Sequence, residues 1–219
     1  MLKLFAVAAL ALAGLAAAPA ARAEAPVWTA KACPADWPTT GRTAECGALT
    51  VDEARDGLDH PNGRRIDIAV AIVRASQPYT DASGQRLPPV VVFHGGPGGA
   101  EVAGVGGLLA RLNDTSRPPL WMAVDQDWIF FDQRGGGLDN PSMDCPGAQL
   151  TDAGPPSDAD ATRLADCLKG YAAQGVDMRW YNVAATAQDV RDLAQVLNLP
   201  KIDLFGGSYG PRVEAAVIT

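Results

Sequence analysis

The sequence predicts an α/β fold with a mostly parallel sheet and an antiparallel start. Three observations predict it. Residues 66–73 alternate with a period of two, as a strand with one strongly apolar face does. Two later runs, Val90–Phe93 and Trp128–Phe131, are apolar throughout, as strands buried on both faces are, and Ile202-Asp203-Leu204-Phe205 reads as a third short strand. Segments of helical pattern separate these runs, which is the order that winds a parallel sheet.

The elements follow in order. Lys3, the Ala- and Leu-rich run Leu4–Ala20 and the small-x-small site Ala21-Arg22-Ala23 read as an export signal, so residues 1–23 are expected to be removed and the mature chain to begin at Glu24. The run is short and interrupted by Gly14 and Pro19, which argues against a spanning helix. No stable membrane anchor is expected after cleavage, and the mature protein is expected to be secreted or periplasmic. Residues 24–219 are expected to form the N-terminal part of one domain, in which 24–47 is an irregular, disulfide-pinned arm. Ala48–Val51 reads as a short strand. The turn signal Asn62-Gly63 suits a hairpin joining it to the alternating strand. Pro78–Pro88 reads as a loop, Ala100–Leu112 as a stretch holding a short helix, 138–158 as a long loop and Asp160–Leu168 as a helix. A clearer helix is expected over Ala187–Leu197. Thr186 and Asp189 would form its capping box, and Asn198 and Pro200 would close it. Val213–Ile218 can begin another.

Four cysteines, none in a CxxC pair, argue against zinc or a redox motif, and an even count fits disulfides in an oxidising compartment. Three pairings are possible. Cys33–Cys46 and Cys145–Cys167 are favoured because both close short, local loops, each worth about 3 kcal/mol in the chain-entropy model. A formal charge of −7 disfavours a nucleic-acid partner. No metal site and no cofactor are expected, and no oligomeric state can be read.

Chemistry concentrates at the ends of the three later strands. Gly206-x-Ser208-x-Gly210 stands between a strand and a helix, the context that a nucleophile elbow requires. The turn is so sharp that side chains at Gly206 or Gly210 would clash, and it lifts the Ser208 hydroxyl to a helix N-terminus. His94-Gly95-Gly96-Pro97-Gly98 follows the first buried strand, where a second oxyanion donor is needed. The amides of Tyr209 and Gly96 are the expected donors, each able to contribute several kcal/mol to a tetrahedral intermediate. A phosphate loop is disfavoured, since no Gly-Lys-Ser/Thr follows and Pro97 removes an N–H. His94 is expected to hold the loop rather than act as base, and His60 has no evident partner. In Asp132-Gln133-Arg134-Gly135 the aspartate is expected to bind backbone and the arginine to pack under the oxyanion loop. Asn113-Asp114-Thr115 matches a glycosylation sequon.

Taken in order, His94–Gly99, Asp132–Gly135, Tyr181-Asn182 with Thr186-Ala187-x-Asp189, and Gly206–Gly210 resemble the proline iminopeptidase and tripeptidyl aminopeptidase group of α/β-hydrolases, serine peptidase family S33. Cys46-Gly47, Leu49-Thr50-Val51 and the paired cysteines resemble its secreted branch. The resemblance implies an α/β-hydrolase fold that releases residues from the amino end of peptides through an acyl-enzyme on Ser208, with no cofactor. Its partner is a peptide or a small acyl substrate. One departure is Asp139, where the family often has serine. The family's acid and histidine follow the elbow, so the expectation is the N-terminal half of the fold, truncated after the elbow and inactive alone. An esterase on the same scaffold and a non-catalytic remnant are the alternatives.

Overall fold

The computed structural model describes residues 24–56, 63–96, 98–114, 116, 125–148 and 157–219. The expected export signal, His60, the Asn62 half of the turn signal and Pro97 lie outside the described residues.

Six strands form one sheet: β1 (Val27–Lys31), β2 (Ala44–Asp52), β3 (Arg65–Val73), β4 (Val90–Phe93), β5 (Trp128–Phe131) and β6 (Asp203–Gly206). Their order is β1-β2-β3-β5-β4-β6. The first three pairings across the sheet are antiparallel and the last two, β5 with β4 and β4 with β6, are parallel. The sheet is therefore mixed rather than mostly parallel. The antiparallel part is larger than expected because β2 and β3 are each nine residues long and β1 adds to them. Residues 24–47 are thus not a wholly irregular arm. β1 shows no apolar alternation because it is an exposed edge that buries only part of Trp28, whose ring lies where a side chain at Gly47 would stand. The absence of a Cβ at Gly47 leaves the space that this ring occupies.

Alternate residues of the central strands feed two cores. On one face, Ile66, Ile68, Val70 and Ile72 of β3 pack with Val91, Phe93, Ile129 and Phe131. Helices α3 (Val183–Val196) and α4 (Gly210–Ile218) cover them through Val190, Leu193 and Val213. Phe93 and Phe131 meet edge to face at 5.5 Å, which adds about 1 kcal/mol beyond their burial. On the other face, Val90, Val92, Trp128 and Phe130 pack against Val102, Val105 and Leu109 of the 3-10 turn Val102–Gly104 and helix α1 (Val105–Asn113), and against Trp37. The loop around Trp37 is fastened to α1. The Asn113 amide donates to the carbonyls of Thr40 (3.3 Å) and Arg42 (3.1 Å), and its oxygen accepts from the Arg42 amide at 2.7 Å.

The cystines pair Cys33 with Cys46 and Cys145 with Cys167. The second tethers helix α2 (Asp158–Ala173), longer at both ends than expected and capped by Ser157, whose hydroxyl accepts from the Asp160 amide. α2 has no buried residue, so the cystine and a 2.6 Å bond from the Tyr171 hydroxyl to the Asp144 carbonyl hold it in place.

Helix α3 starts four residues before the expected Ala187, and the expected capping box does not form. Asn182 is the N-cap, accepting from the Ala185 amide at 3.0 Å. The Thr186 hydroxyl donates back to the Asn182 carbonyl at 3.1 Å, and Asp189 is fully buried one turn further on. Two arginines recruit that carboxylate, and this outweighs a cap bond worth about 1 kcal/mol. At the other end Asn198 turns left-handed at φ 54°, closing the helix as expected.

Candidate active site

Strand order places the three glycine-rich ends side by side. β4 lies between β5 and β6 and all three run parallel, so the loop from His94 stands between the Asp132 turn and the Ser208 turn at one edge of the sheet. Ligands of such sheets bind beyond that edge.

Ser208 has φ 57°, a left-handed conformation that side-chain-bearing residues rarely adopt. The glycines around it allow the turn. A Cβ on Gly206 would lie 2.9 Å from the Cβ and 3.0 Å from the carbonyl oxygen of Phe93, and one on Gly210 would lie 2.8 Å from that same oxygen. Neither position has room for a side chain, so the turn sits directly on the last residue of β4. Tyr209 follows as the N-cap of α4, with Pro211 in the first helical turn, where its lack of an N–H costs nothing. The Ser208 side chain is exposed, and among the described residues its hydroxyl has no hydrogen-bond partner.

The neighbouring loop approaches closely. A Cβ on Gly95 would stand 3.2 Å from the Ser208 Cβ and 3.7 Å from its Oγ. Gly95 is therefore the loop residue against the serine. Gly96 next to it has φ 115°, open only to glycine at low cost. Among the described residues the amides of Gly96 and Tyr209 donate to no backbone carbonyl. An exposed hydroxyl on a strained residue at a helix start, with unspent amides nearby, can receive a carbonyl carbon and stabilise charge developing on its oxygen.

His94 holds the loop. Its Nδ1 lies 2.8 Å from the Gly95 carbonyl, so the proton sits on that nitrogen. Its ring occupies the space where a side chain at Gly99 would be. Its own carbonyl accepts from Gln133 Nε2 at 2.9 Å, a support that the sequence reading missed. Asp132 is fully buried and accepts from the amides of Val102 (2.9 Å) and Leu138 (2.8 Å). Burial pushes its carboxyl above the usual range against the pull of those N–H groups.

Arg134 does not pack under the oxyanion loop. It is buried on the α3 side. There it pairs with Asp189 and donates to the carbonyls of Glu53 (2.6 Å), Asp52 (2.9 Å) and Trp180 (3.0 Å). Arg55 also pairs with Asp189. The arginine joins the end of β2 to the start of α3, because five donors in a fixed fork suit converging carbonyls and a carboxylate better than a glycine loop. Asp139, the departure noted in the sequence, is buried and accepts from the amides of Ala69 (2.7 Å) and Gly135 (3.1 Å). Burial pushes its carboxyl well above the ordinary aspartate value. The Ala69 amide opposes this, and the nearby Asp132 and Asp189 add to it.

Among the described residues no group of three His, Cys, Asp or Glu gathers where it could hold a metal ion, and no helix is long and apolar enough to cross a membrane.

No family model matches the chain. Over 135 residues, 62% of the chain, it is 31% identical to a protein of Mycobacterium tuberculosis named Carboxylesterase B and to a putative hydrolase of Mycobacterium bovis. The match spans 21% of the length of each, so the chain corresponds to about a fifth of these relatives. Among solved structures, a proline iminopeptidase-related protein of Thermus thermophilus superposes with a TM-score of 0.39 at 22% identity, over 70% of this chain and 36% of that one. The Aspergillus niger epoxide hydrolase superposes with a TM-score of 0.35 at 14% identity, over 76% and 30%.

Proposed function

We propose that this chain carries the nucleophile and oxyanion half of an exported serine hydrolase of the α/β-hydrolase type. In this reading Ser208 Oγ attacks a substrate carbonyl carbon while a base takes its proton. The amides of Tyr209 and Gly96 receive the negative charge on the oxygen. The proton returns to the leaving amine or alcohol, and water then releases the acyl group from Ser208. We do not assign His94 as that base: among the described residues it makes no hydrogen bond to Ser208, and its ring fills the space beside Gly99. The reading requires the base and its acidic partner from residues outside those described.

The observation that carries the proposal is the left-handed Ser208 between two glycines seated on Phe93. A plain turn with a serine cap has no need of such strain. The S33-like motifs favour a peptidase that acts on the free amino end of its substrate. Two cystines and an N-terminal export pattern favour action outside the cytoplasm. A second reading, an esterase, is favoured by the name of the Mycobacterium tuberculosis relative.

In a protein that includes the base and its acidic partner, a fluorophosphonate probe is expected to label Ser208 and to leave Ser208→Ala unlabelled. An unlabelled parent protein would overturn the proposal. Turnover of an aminoacyl-arylamide set against a short-chain p-nitrophenyl ester separates the two readings.

A further inference from the structure

Gln133 takes no part in the chemistry proposed so far, yet it reaches the loop that faces Ser208. It is buried two residues beyond β5, and its side-chain Nε2 donates to the His94 carbonyl oxygen at 2.9 Å. Its backbone is tied on both sides. Asp132 before it is bound to Ala69 through its own amide, and to Val102 and Leu138 through its carboxylate. Arg134 after it is fixed to Asp189 and to the carbonyls of Glu53, Asp52 and Trp180. The Gln133 carbonyl itself accepts from the Gly136 amide at 2.7 Å. The side-chain donor therefore stands on a fixed base.

What it holds is the start of the glycine-rich loop. The His94–Gly95 and Gly95–Gly96 peptides are both trans, so the carbonyl and the N–H of each point opposite ways. Gln133 binds the first carbonyl. The His94 ring binds the second, with Nδ1 2.8 Å from the Gly95 oxygen. Fixing these two oxygens fixes the direction of the Gly96 N–H, which belongs to the second peptide and donates to no backbone carbonyl among the described residues. Gly95 and Gly96 have no side chains to anchor them, and glycine backbone turns at low cost, so the bonds to the carbonyls decide the orientation. A Cβ on Gly95 would stand 3.2 Å from the Ser208 Cβ, so a rotation here is felt at the serine.

We propose that Gln133 is a positioning residue for the oxyanion site: by holding the His94 carbonyl it aims the Gly96 amide at the place where a substrate oxygen gathers charge. The proposal rests on the serine hydrolase reading and deepens it by naming a residue outside both glycine motifs that sets the rate of bond formation. A donor held in the right direction acts on charge that develops in the transition state and adds little to ground-state binding. Its loss is therefore read in a rate rather than in an affinity.

The test follows fluorophosphonate labelling of Ser208 in a protein that includes the base and its acidic partner, with the rate taken per molecule that labels. Gln133→Met keeps the length of the side chain and removes the donor. Its saturating labelling rate is expected to fall about tenfold, with the half-saturating concentration unchanged. Gln133→Glu sets a carboxyl in the same place, which donates when protonated and cannot when ionised. Its rate, divided by that of the parent at each pH, is expected to rise several-fold as pH falls from about 8 to about 5. The division removes the titration of the base and of His94, Asp132 and the other groups common to both proteins. An unchanged saturating rate in Gln133→Met overturns the inference and leaves the hydrolase reading intact. So does a loss confined to the half-saturating concentration, or one confined to the fraction of molecules that label, which marks a merely structural role. A ratio for Gln133→Glu that is flat with pH also overturns it, and that ratio alone decides should Gln133→Met fail to label. Absence of labelling in the parent overturns both.

Discussion

Ser208 bears a cost at the residue scale. A left-handed conformation costs a residue with a Cβ about 1 kcal/mol or more, and glycine escapes that penalty. Ser208→Gly is therefore expected to raise the midpoint of thermal unfolding while abolishing fluorophosphonate labelling. An unchanged or lowered midpoint would mean that the turn is relaxed. The same scale holds a pH effect at Asp139. Its folded-state carboxyl titrates well above 3.8, through burial and the neighbouring Asp132 and Asp189. A folded value above the unfolded one gives stability that is present in acid and lost as pH rises through the raised value. Asp139→Asn cannot ionise. Its unfolding midpoint relative to the parent is expected to shift in the variant's favour between pH 4 and pH 7, even though it loses one acceptor at both. A difference constant with pH would refute this. The tight turn at Ser208 and its glycines were legible in the sequence because such a turn is local and its residues are contiguous. The bonds of Asp139 reach to Ala69, 70 positions away, and no local pattern announces such a pairing.

Among the elements, helix ends were the least legible. The Thr186 and Asp189 spacing matches a capping box, but Asp189 meets Arg134 and Arg55 across 55 and 134 positions, and this tertiary demand outcompetes the cap. β1 was invisible because a strand at an exposed edge needs no apolar alternation. Strands β3, β4 and β5 were read closely because burial on one or both faces writes itself into hydrophobic pattern. α1 supplies an element-scale prediction. Asn113 heads a sequon, yet its side-chain amide is spent on the Thr40 and Arg42 carbonyls. The folded protein is expected to carry no glycan there when made in a glycosylating host, as intact mass would report. Asn113→Ala is expected to cost about 1–2 kcal/mol in denaturant unfolding, as three hydrogen bonds are lost. A glycan at Asn113, or a cost near zero, would count against the clamp.

For the whole molecule, the motifs mark the three loops that end β4, β5 and β6 but not the order of the strands. Crossing from β5 past β4 to β6 is a choice made by packing helices on both faces, and contiguous sequence does not record it. The two cystines divide the chain by stability. Cys33–Cys46 lies against the core under Trp37, whereas Cys145–Cys167 holds a helix with nothing buried. Replacing Cys145 and Cys167 by serine is expected to raise hydrogen exchange across Asp158–Ala173 and leave β3, β4 and β5 protected. Loss of protection throughout the sheet would show that α2 belongs to the same cooperative unit.

Phe93 ends β4, leads directly into His94 and Gly95, and carries both glycines of the serine turn on its own backbone. One peptide therefore acts as a common datum for the Ser208 turn and for the Gly95–Gly96 loop across from it. On the proposed serine hydrolase reading, a displacement elsewhere in the sheet is expected to move the two together and to change their separation little. Rim side chains can then diverge in length and charge, changing which molecules are admitted, without retuning the distance on which bond-making depends.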